Sequence, residues 1–196
     1  RHLLAGGDEK SAEKLMRQRY FVSEERIRLA LECSRASVRA VQQLRENDIC
    51  LYVGIPFCPT RCSYCSFVSG DIARCAQLLK PYLAALKEEI AYVGKLVKES
   101  GKKIRALYIG GGTPTTLSPK QLKELMEEIS RHFDLTELIE YTIEGGRPDT
   151  LNYEKLRTLK ELGCDRMSIN PQTMNDKVLE TVGRKHTSQQ TLKAYE

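Results

Sequence analysis

Apolar residues recur along the chain in two patterns, short unbroken runs and longer stretches with an apolar residue every three or four positions. The short runs are rich in β-branched and aromatic residues, which is typical of buried strands. Four such runs are present: 49–55, 104–109, 138–143 and 166–169. Each is followed by a stretch whose spacing predicts a helix with one apolar face. These stretches are 78–100, 118–133, 153–162 and 175–182.

Two helices are predicted ahead of the first strand. One covers 11–19, and the second opens at Ser23, a good N-cap followed by two Glu residues that favour a helix N-terminus. Residues 1 to about 10 are polar and contain glycines, so we expect a loose terminus there. The sequence thus predicts a helical extension over 1–48. Its amphipathic helix would cover one end or flank of the sheet, or bind a further domain.

Strand followed by helix, four times in succession, is the pattern of a parallel sheet with helical crossovers. We therefore predict an α/β fold over 49–196, a partial (βα) TIM-like barrel of about four βα units. Four units are too few to close a barrel, so we expect an open half-barrel or edges covered by a partner chain. The chain has no initiator Met and ends inside a helical pattern, which predicts a longer barrel truncated before its last strands.

The composition indicates which partners and which cellular compartment to expect. The net charge of +5 comes from 31 basic and 26 acidic residues spread along 196 positions, so no nucleic-acid partner is expected. No apolar run approaches the roughly 18 residues that span a bilayer, so no membrane partner is expected either. Seven cysteines, an odd number with three in one motif, fit a reducing compartment better than a secreted disulfide scaffold. We expect a soluble, cytoplasmic protein.

Three cysteines in eight residues provide the strongest chemical signal. Cys58, Cys62 and Cys65 have the spacing CxxxCxxC. A [4Fe–4S] cluster normally binds four thiolates, one per iron, so three would leave one iron open to chelation by a small molecule with an amine and a carboxylate. Structural zinc is an alternative, but it requires four ligands and no His lies near this loop in the sequence. Buried or disulfide-bonded cysteines are the other alternative.

Each predicted strand is followed by residues that suit a binding site. The cysteine loop follows the first strand, the glycine-rich segment 110–114 the second, Glu144 the third and Gln172 the fourth. Active sites of α/β barrels lie at the carboxyl ends of the strands, so this arrangement predicts one shared site. The glycines would allow a ligand close to the backbone, and a carboxylate such as Glu144 can accept hydrogen bonds from ribose hydroxyls. A plain turn and a surface carboxylate are the structural alternatives.

The cysteine motif, with Tyr64 before its last Cys, resembles the signature of the radical SAM enzymes. Three further stretches, 52–58, 107–115 and 142–149, are similar to the oxygen-independent coproporphyrinogen III oxidase group. Within that group the chain most resembles the coproporphyrinogen dehydrogenase (HemZ) branch. The resemblance covers about residue 20 to the end. Phe67 departs from it, since some members of the group carry a further Cys there, in CxxxCxxCxC.

The resemblance implies two cofactors, a [4Fe–4S] cluster and S-adenosyl-L-methionine (SAM), and assigns residues to both. The three cysteines would bind three irons, and the glycine segment would contact the methionyl amino group of SAM. Arg184 would pair with the SAM carboxylate, unless it is an exposed helix-end cation. The implied SAM-binding residues are Tyr52, Tyr64, Gly111, Gly112, Thr113, Glu144, Gln172 and Arg184. Tyr64 would lie at the adenine, and Tyr52 beside the carboxylate.

The resemblance also implies a reaction. Reductive cleavage of SAM would give methionine and a 5′-deoxyadenosyl radical, which would abstract hydrogen from a propionate of coproporphyrinogen III. Loss of carbon dioxide would then lead to protoporphyrinogen IX in haem biosynthesis. The implied partners are a porphyrinogen or other small-molecule substrate and an electron donor such as flavodoxin or ferredoxin. A haem-binding chaperone of the same family and a zinc-binding interaction module are the alternative functions.

Overall fold

The computed structural model describes residues 5–196, and the chain divides between Glu46 and Asn47 into two compact units. The first unit contains α1 (Glu9–Arg19) and α2 (Glu24–Gln42). The predicted loose terminus falls partly on residues 1–4, which lie outside the described residues; α1 begins at Glu9, within that predicted stretch. None of the described helices is long and apolar enough to cross a membrane.

Asp8 explains why α1 begins where it does. Its carboxylate accepts a 3.0 Å hydrogen bond from the backbone N–H of Ser11, which satisfies a donor that a helix start otherwise leaves free. On α2, Ile27 and Leu31 are buried, one helical turn apart. The predicted apolar stripe is therefore buried at its beginning, whereas Val41 and Leu44 at its end are exposed.

The second unit alternates strands and helices along the chain. Its elements are β1 (Asp48–Ile55), β2 (Phe57–Cys58), β3 (Gly70–Asp71), α3 (Ile72–Ser100), β4 (Lys103–Gly111), α4 (Pro119–His132), β5 (Glu140–Glu144), α5 (Tyr153–Glu161), β6 (Arg166–Ser168), α6 (Asp176–Thr181) and α7 (Ser188–Tyr195). Four of these strands form one parallel sheet in the order β1-β4-β5-β6. The predicted α/β fold is thus confirmed, with β1 and β6 as the outer strands among the described residues.

Local sequence signals account for most of the helix boundaries. Ser118 and Gln121 form a reciprocal capping box at the start of α4, with Pro119 at its first position. Asn152 caps α5 and Gly101, in the left-handed conformation, ends α3. Cys75 has non-helical backbone angles (φ −126°), so the first residues of α3 interrupt the regular spacing of the helix. The helix thus begins six residues before the predicted start at residue 78.

The two faces of the sheet differ in character. Side chains alternate across a strand, so Val53, Ile55, Leu107, Ile109 and Ile143 belong to the buried core together with apolar residues of α3, α4 and α5. The register pairs Tyr52 with Tyr108, Tyr108 with Thr142 and Thr142 with Arg166. These four residues share the opposite, more polar face. One face of the sheet therefore contributes to the hydrophobic core, and the other carries polar side chains.

Candidate functional site

A cavity bordered by described residues lies at the carboxyl ends of the strands. Its volume is about 110 Å³. Ten of the eleven site residues expected from the sequence line it: Cys58, Cys62, Cys65, Tyr64, Gly111, Gly112, Thr113, Glu144, Gln172 and Arg184. The parallel strand order explains this convergence, because successive strands deliver their carboxyl-terminal loops to the same edge of the sheet.

The cysteine loop is attached to the glycine segment by backbone hydrogen bonds. Gly112 N–H donates to the carbonyl of Ile55 at 2.9 Å, and Thr113 N–H donates to the carbonyl of Phe57 at 2.8 Å. The Thr113 hydroxyl also donates to Sγ of Cys58 at 3.4 Å. Cys58 is 9% exposed, whereas Cys62 and Cys65 are partly exposed. The first thiol is therefore fixed by the neighbouring strand end, and the other two lie on the open part of the loop.

Glu144 is oriented by an aromatic residue that sequence reasoning missed. The hydroxyl of Tyr108 donates a 2.6 Å hydrogen bond to Oε1 of Glu144. Burial, together with this hydrogen bond to the carboxylate, raises the pKa of Tyr108 to about 12, so its hydroxyl remains a donor at neutral pH. Tyr108 lies two residues before the glycine segment, in register with Tyr52, and this alternation is the signal that could have identified it.

Tyr52 is the one expected site residue that does not line the cavity. It is 61% exposed, and its ring stacks on that of Tyr108 with centroids 5.9 Å apart and planes 12° apart. Burial and the Glu144 carboxylate raise the pKa of its hydroxyl. Tyr52 thus contacts Tyr108, which in turn contacts Glu144 at the cavity. Tyr52 itself lines a separate groove together with Tyr82.

Arg184 is buried, at 6% exposed, so it is not the exposed helix-end cation that was the alternative. Its Nη2 donates to the carbonyls of Gly146 and Asn170 at 2.9 Å each. Its Nε is buried without a hydrogen-bond partner among the described residues. Arg184 also lines the cavity, and a guanidinium held in place at a cavity wall suits a carboxylate ligand.

The loop after β6 has an uncommon backbone. Gln172 adopts a left-handed conformation with φ 62°, which is infrequent for a residue other than glycine. The preceding carbonyls of Asn170 and Pro171 accept hydrogen bonds from Arg184 and His186. The backbone that presents Gln172 to the cavity is therefore attached to the segment that carries Arg184.

Several residues of the cavity wall were not anticipated as site residues. They are Thr60, Arg61, Phe67, Ser69, Gly146, Arg147 and Asn170. Thr60 and Arg61 lie inside the cysteine motif, and Arg147 lies three residues after Glu144. Their proximity to the motifs was visible in the sequence, but their direction toward one cavity depends on the fold.

The donor set of the cavity suits an iron–sulfur cluster. Cys58, Cys62 and Cys65 line one cavity and offer three sulfur atoms. A cubane binds each thiolate to a different iron, so three cysteines can hold three of its four irons. They are the residues that would hold a [4Fe–4S] cluster.

Comparison with known proteins agrees with this donor set. The pattern that defines the radical SAM superfamily matches residues 52–196. The chain belongs to the radical SAM superfamily. Members of this superfamily generally use a [4Fe–4S] cluster and SAM, and the family expected from the cysteine motif is confirmed.

Individual relatives place the chain within the superfamily. It is 36% identical to the oxygen-independent coproporphyrinogen-III oxidase-like protein HemZ of Bacillus subtilis, over 98% of this chain and 39% of that protein. It is 39% identical to the heme chaperone HemW of the same organism, over 74% of this chain and 37% of that protein. The solved coproporphyrinogen III oxidase HemN of Escherichia coli, a radical SAM enzyme, superposes with a TM-score of 0.65. That match has 29% identity and covers 82% of this chain and 36% of HemN.

These matches cover only part of each relative. The chain spans less than two-fifths of each of these three relatives. The names of these relatives include both oxidases or oxidase-like proteins and a chaperone, so they do not agree on one activity.

Proposed function

We propose that this chain forms the cluster- and SAM-binding part of a radical SAM enzyme that decarboxylates the propionates of coproporphyrinogen III to give protoporphyrinogen IX. The observation that supports this most is that the three cysteines, the glycine segment, Glu144 and Arg184 border the same cavity. Identity to HemZ over almost the whole chain supports the substrate class.

Different residues of the cavity would bind different parts of SAM. Cys58, Cys62 and Cys65 would bind three irons and leave the fourth to the amino and carboxylate groups of SAM. Arg184 would pair with the carboxylate from the cavity wall. Gly111, Gly112 and Thr113 would lie against the methionyl amino group.

Further residues of the cavity wall would contact the nucleoside of SAM. Glu144, with Oε1 occupied by Tyr108, would accept ribose hydroxyls at its remaining lone pairs. Tyr64, whose hydroxyl lies 3.4 Å from Nη1 of Arg184, would contact the adenine, and Gln172 would supply a further polar contact. Tyr52, which the sequence motif assigns to the SAM carboxylate, lies outside the cavity and would act by stacking on Tyr108.

The cofactors would supply the difficult chemistry. When bound, the cluster and SAM would supply one-electron radical chemistry that removes a hydrogen atom from the propionate, which would then lose carbon dioxide and pass one electron to an external acceptor. The protein would bind and orient SAM and exclude water and oxygen. A flavodoxin or ferredoxin is the proposed electron donor. All seven cysteines are free, which supports the cytoplasm as the proposed location.

A haem-binding chaperone is the second candidate. Identity of 39% to HemW favours it, and so does Phe67, which is 66% exposed at the cavity where some oxidases of the group carry a further cysteine. In this candidate the cluster and SAM sites are retained and decarboxylation is absent. The two candidates therefore differ in product and not in cofactor.

One set of anaerobic assays separates these possibilities. After reconstitution with iron and sulfide, the purified protein should become brown and, with SAM and a reductant, form 5′-deoxyadenosine. Production of protoporphyrinogen IX from coproporphyrinogen III would support the oxidase, and retention of haem through gel filtration without decarboxylation would support the chaperone. A Cys62→Ser variant should lose the cluster and all SAM cleavage. Colourless protein with stoichiometric zinc would contradict the proposal.

A further inference from the structure

A buried arginine, Arg147, connects the cysteine loop to the loop that follows β5. It lines the cavity and is 3% exposed. Its Nε and Nη2 donate to the two carboxylate oxygens of Asp149 at 3.1 Å each, a two-point ion pair. Its remaining terminal nitrogen, Nη1, donates to Oγ1 of Thr60 at 2.9 Å. The guanidinium is therefore fixed in one orientation by two partners on different loops.

Thr60 extends this connection to a third loop. It lies between Cys58 and Cys62, and its hydroxyl donates to the carbonyl of Gly183 at 2.9 Å. Gly183 directly precedes Arg184, and Ser63 N–H donates to the neighbouring carbonyl of Val182 at 3.1 Å. The middle of the cysteine motif is thus attached on one side to Arg147 and on the other to the segment that carries Arg184.

The two partners of the Arg147–Asp149 ion pair lie in different surroundings. Arg147 borders the cavity that the three cysteines line, whereas Asp149 is not part of that wall and its side chain is 21% exposed. The positive end of the pair therefore borders the same cavity as the three cysteines. Three thiolates around a cavity concentrate negative charge, and a fixed cation beside them lowers the energy of adding a further electron.

We propose that Arg147 is a positioning residue for the cysteine loop and that the Arg147–Asp149 pair adjusts the reduction potential of the cluster. The inference rests on the proposed function, because it requires a cluster at the three cysteines. Arg147 acts through Thr60 on the loop and through its charge on the redox centre. It binds neither SAM nor iron in this proposal.

The alternative is a purely structural ion pair. Such a pair would affect folding alone, and its removal would leave the electronic properties of the cluster unchanged. The reduction potential of the cluster therefore separates the two interpretations. Because Arg147 and Asp149 have opposite charges, an electrostatic role predicts that removing one or the other shifts the potential in opposite directions.

The first experiment measures the midpoint potential of the reconstituted cluster by redox titration followed with electron paramagnetic resonance. R147Q leaves Asp149 unpaired and should shift the potential to more negative values. D149N leaves the guanidinium uncompensated and should shift it to more positive values, while R147K should stay close to wild type. The control is R157Q, which removes an exposed Arg–Glu161 pair of 2.7 Å on α5. Equal potentials in R147Q, D149N and R157Q would overturn the electrostatic part of the proposal.

The second experiment tests the connection through Thr60. T60V removes the hydroxyl and keeps the size, whereas T60S keeps the hydroxyl. We expect T60V to lose iron to a chelator about tenfold faster than wild type, as is common when groups that orient metal ligands are removed. T60S should restore wild-type retention. Equal retention in T60V, T60S and wild type would contradict the positioning role.

Folding and cofactor loading are checked separately. Thermal unfolding of the cluster-free proteins should show that T60V and D149N fold, so that these two variants keep the test valid if R147Q does not. If the wild-type protein takes up no [4Fe–4S] cluster, the proposed function itself fails, and this inference with it. If wild type takes up the cluster and the variants match it, only the role of Arg147 and Thr60 fails.

Discussion

The hydroxyl of Tyr108 lies 2.6 Å from Oε1 of Glu144 and donates its proton to it. The carboxylate is thereby fixed at the carboxyl end of β5, and the Tyr108 ring is in turn stacked on Tyr52. Two aromatic rings on adjacent strands thus support one acidic group at the cavity. The geometry explains how Tyr52 contributes to the site although it does not line it.

Replacing Tyr108 with Phe should weaken SAM binding. The ring and its stacking remain, but Glu144 loses a charge-assisted hydrogen bond of the kind worth about 1.5 to 3 kcal/mol. We expect the dissociation constant for SAM, measured by calorimetry on the reconstituted protein, to rise about tenfold. Tyr153→Phe is the matched control, because Tyr153 is 80% exposed. Identical affinities in the two variants would show that Tyr108 does not orient Glu144.

The approximate positions of the four main strands and of the helices between them could be read from the sequence because these elements have a strong apolar period, whereas the two-residue strands β2 and β3 have none. The register could not, and Tyr52 shows the consequence: its sequence motif assigns it to SAM, but the strand pairing places its ring against Tyr108. Arg147 shows the same limit. It lies in a stretch that was recognised, but its contact with Thr60 joins residues 87 positions apart in sequence.

Lowering the pH should destabilise the fold through His186. Its side chain is buried, and burial, followed by the charge of Arg184, lowers the pKa of His186 below its ordinary value of 6.5. The unfolded chain therefore takes up a proton at a pH where the folded chain does not, and the free energy of unfolding falls as the pH drops below about 6.5. The nearby charges are Asp149, whose Oδ1 lies 4.0 Å from Nδ1, and Arg147.

Urea denaturation at a series of pH values measures this effect. His186→Gln should reduce the loss of stability on acidification, because the variant has no proton to take up at this position. Lys185→Gln changes the exposed neighbour and should keep the wild-type dependence. An unchanged dependence in the His186 variant would assign the acid sensitivity to other groups.

Lys155 should stabilise the loops behind the cavity. Its Nζ donates to the carbonyl of Thr115 at 2.6 Å and to that of Thr150 at 2.8 Å, so it joins the turn after the glycine segment to the turn after Arg147. Lys155→Met would leave two carbonyls without this donor, at a cost of about 1 to 3 kcal/mol in the free energy of unfolding. Lys160→Met, at an exposed position on the same helix, should cost much less. Equal stabilities in urea would contradict this role.

Gly112→Ala should disrupt the cysteine loop directly. A Cβ at this position would lie 2.8 Å from the carbonyl oxygen of Phe57 and 2.9 Å from Sγ of Cys58. Neither neighbour can move cheaply, because Thr113 N–H donates to the same carbonyl and the Thr113 hydroxyl donates to the same sulfur. Overpacking of this kind costs about 1 to 3 kcal/mol. The strain would fall on the first cluster ligand, so we expect loss of stability together with loss of bound iron.

Gly54→Ala provides the matched comparison for this last substitution. It adds the same methyl group one strand away, where the nearest atom, Cε1 of Tyr52, lies 3.6 Å from the new Cβ, an ordinary contact. Iron content after anaerobic reconstitution and the urea midpoint should therefore be close to wild type in this variant and lower in Gly112→Ala. If both variants bind iron equally, the glycine segment does not constrain Cys58. The close approach of β4 to the cysteine loop would then be a packing feature without influence on the cluster.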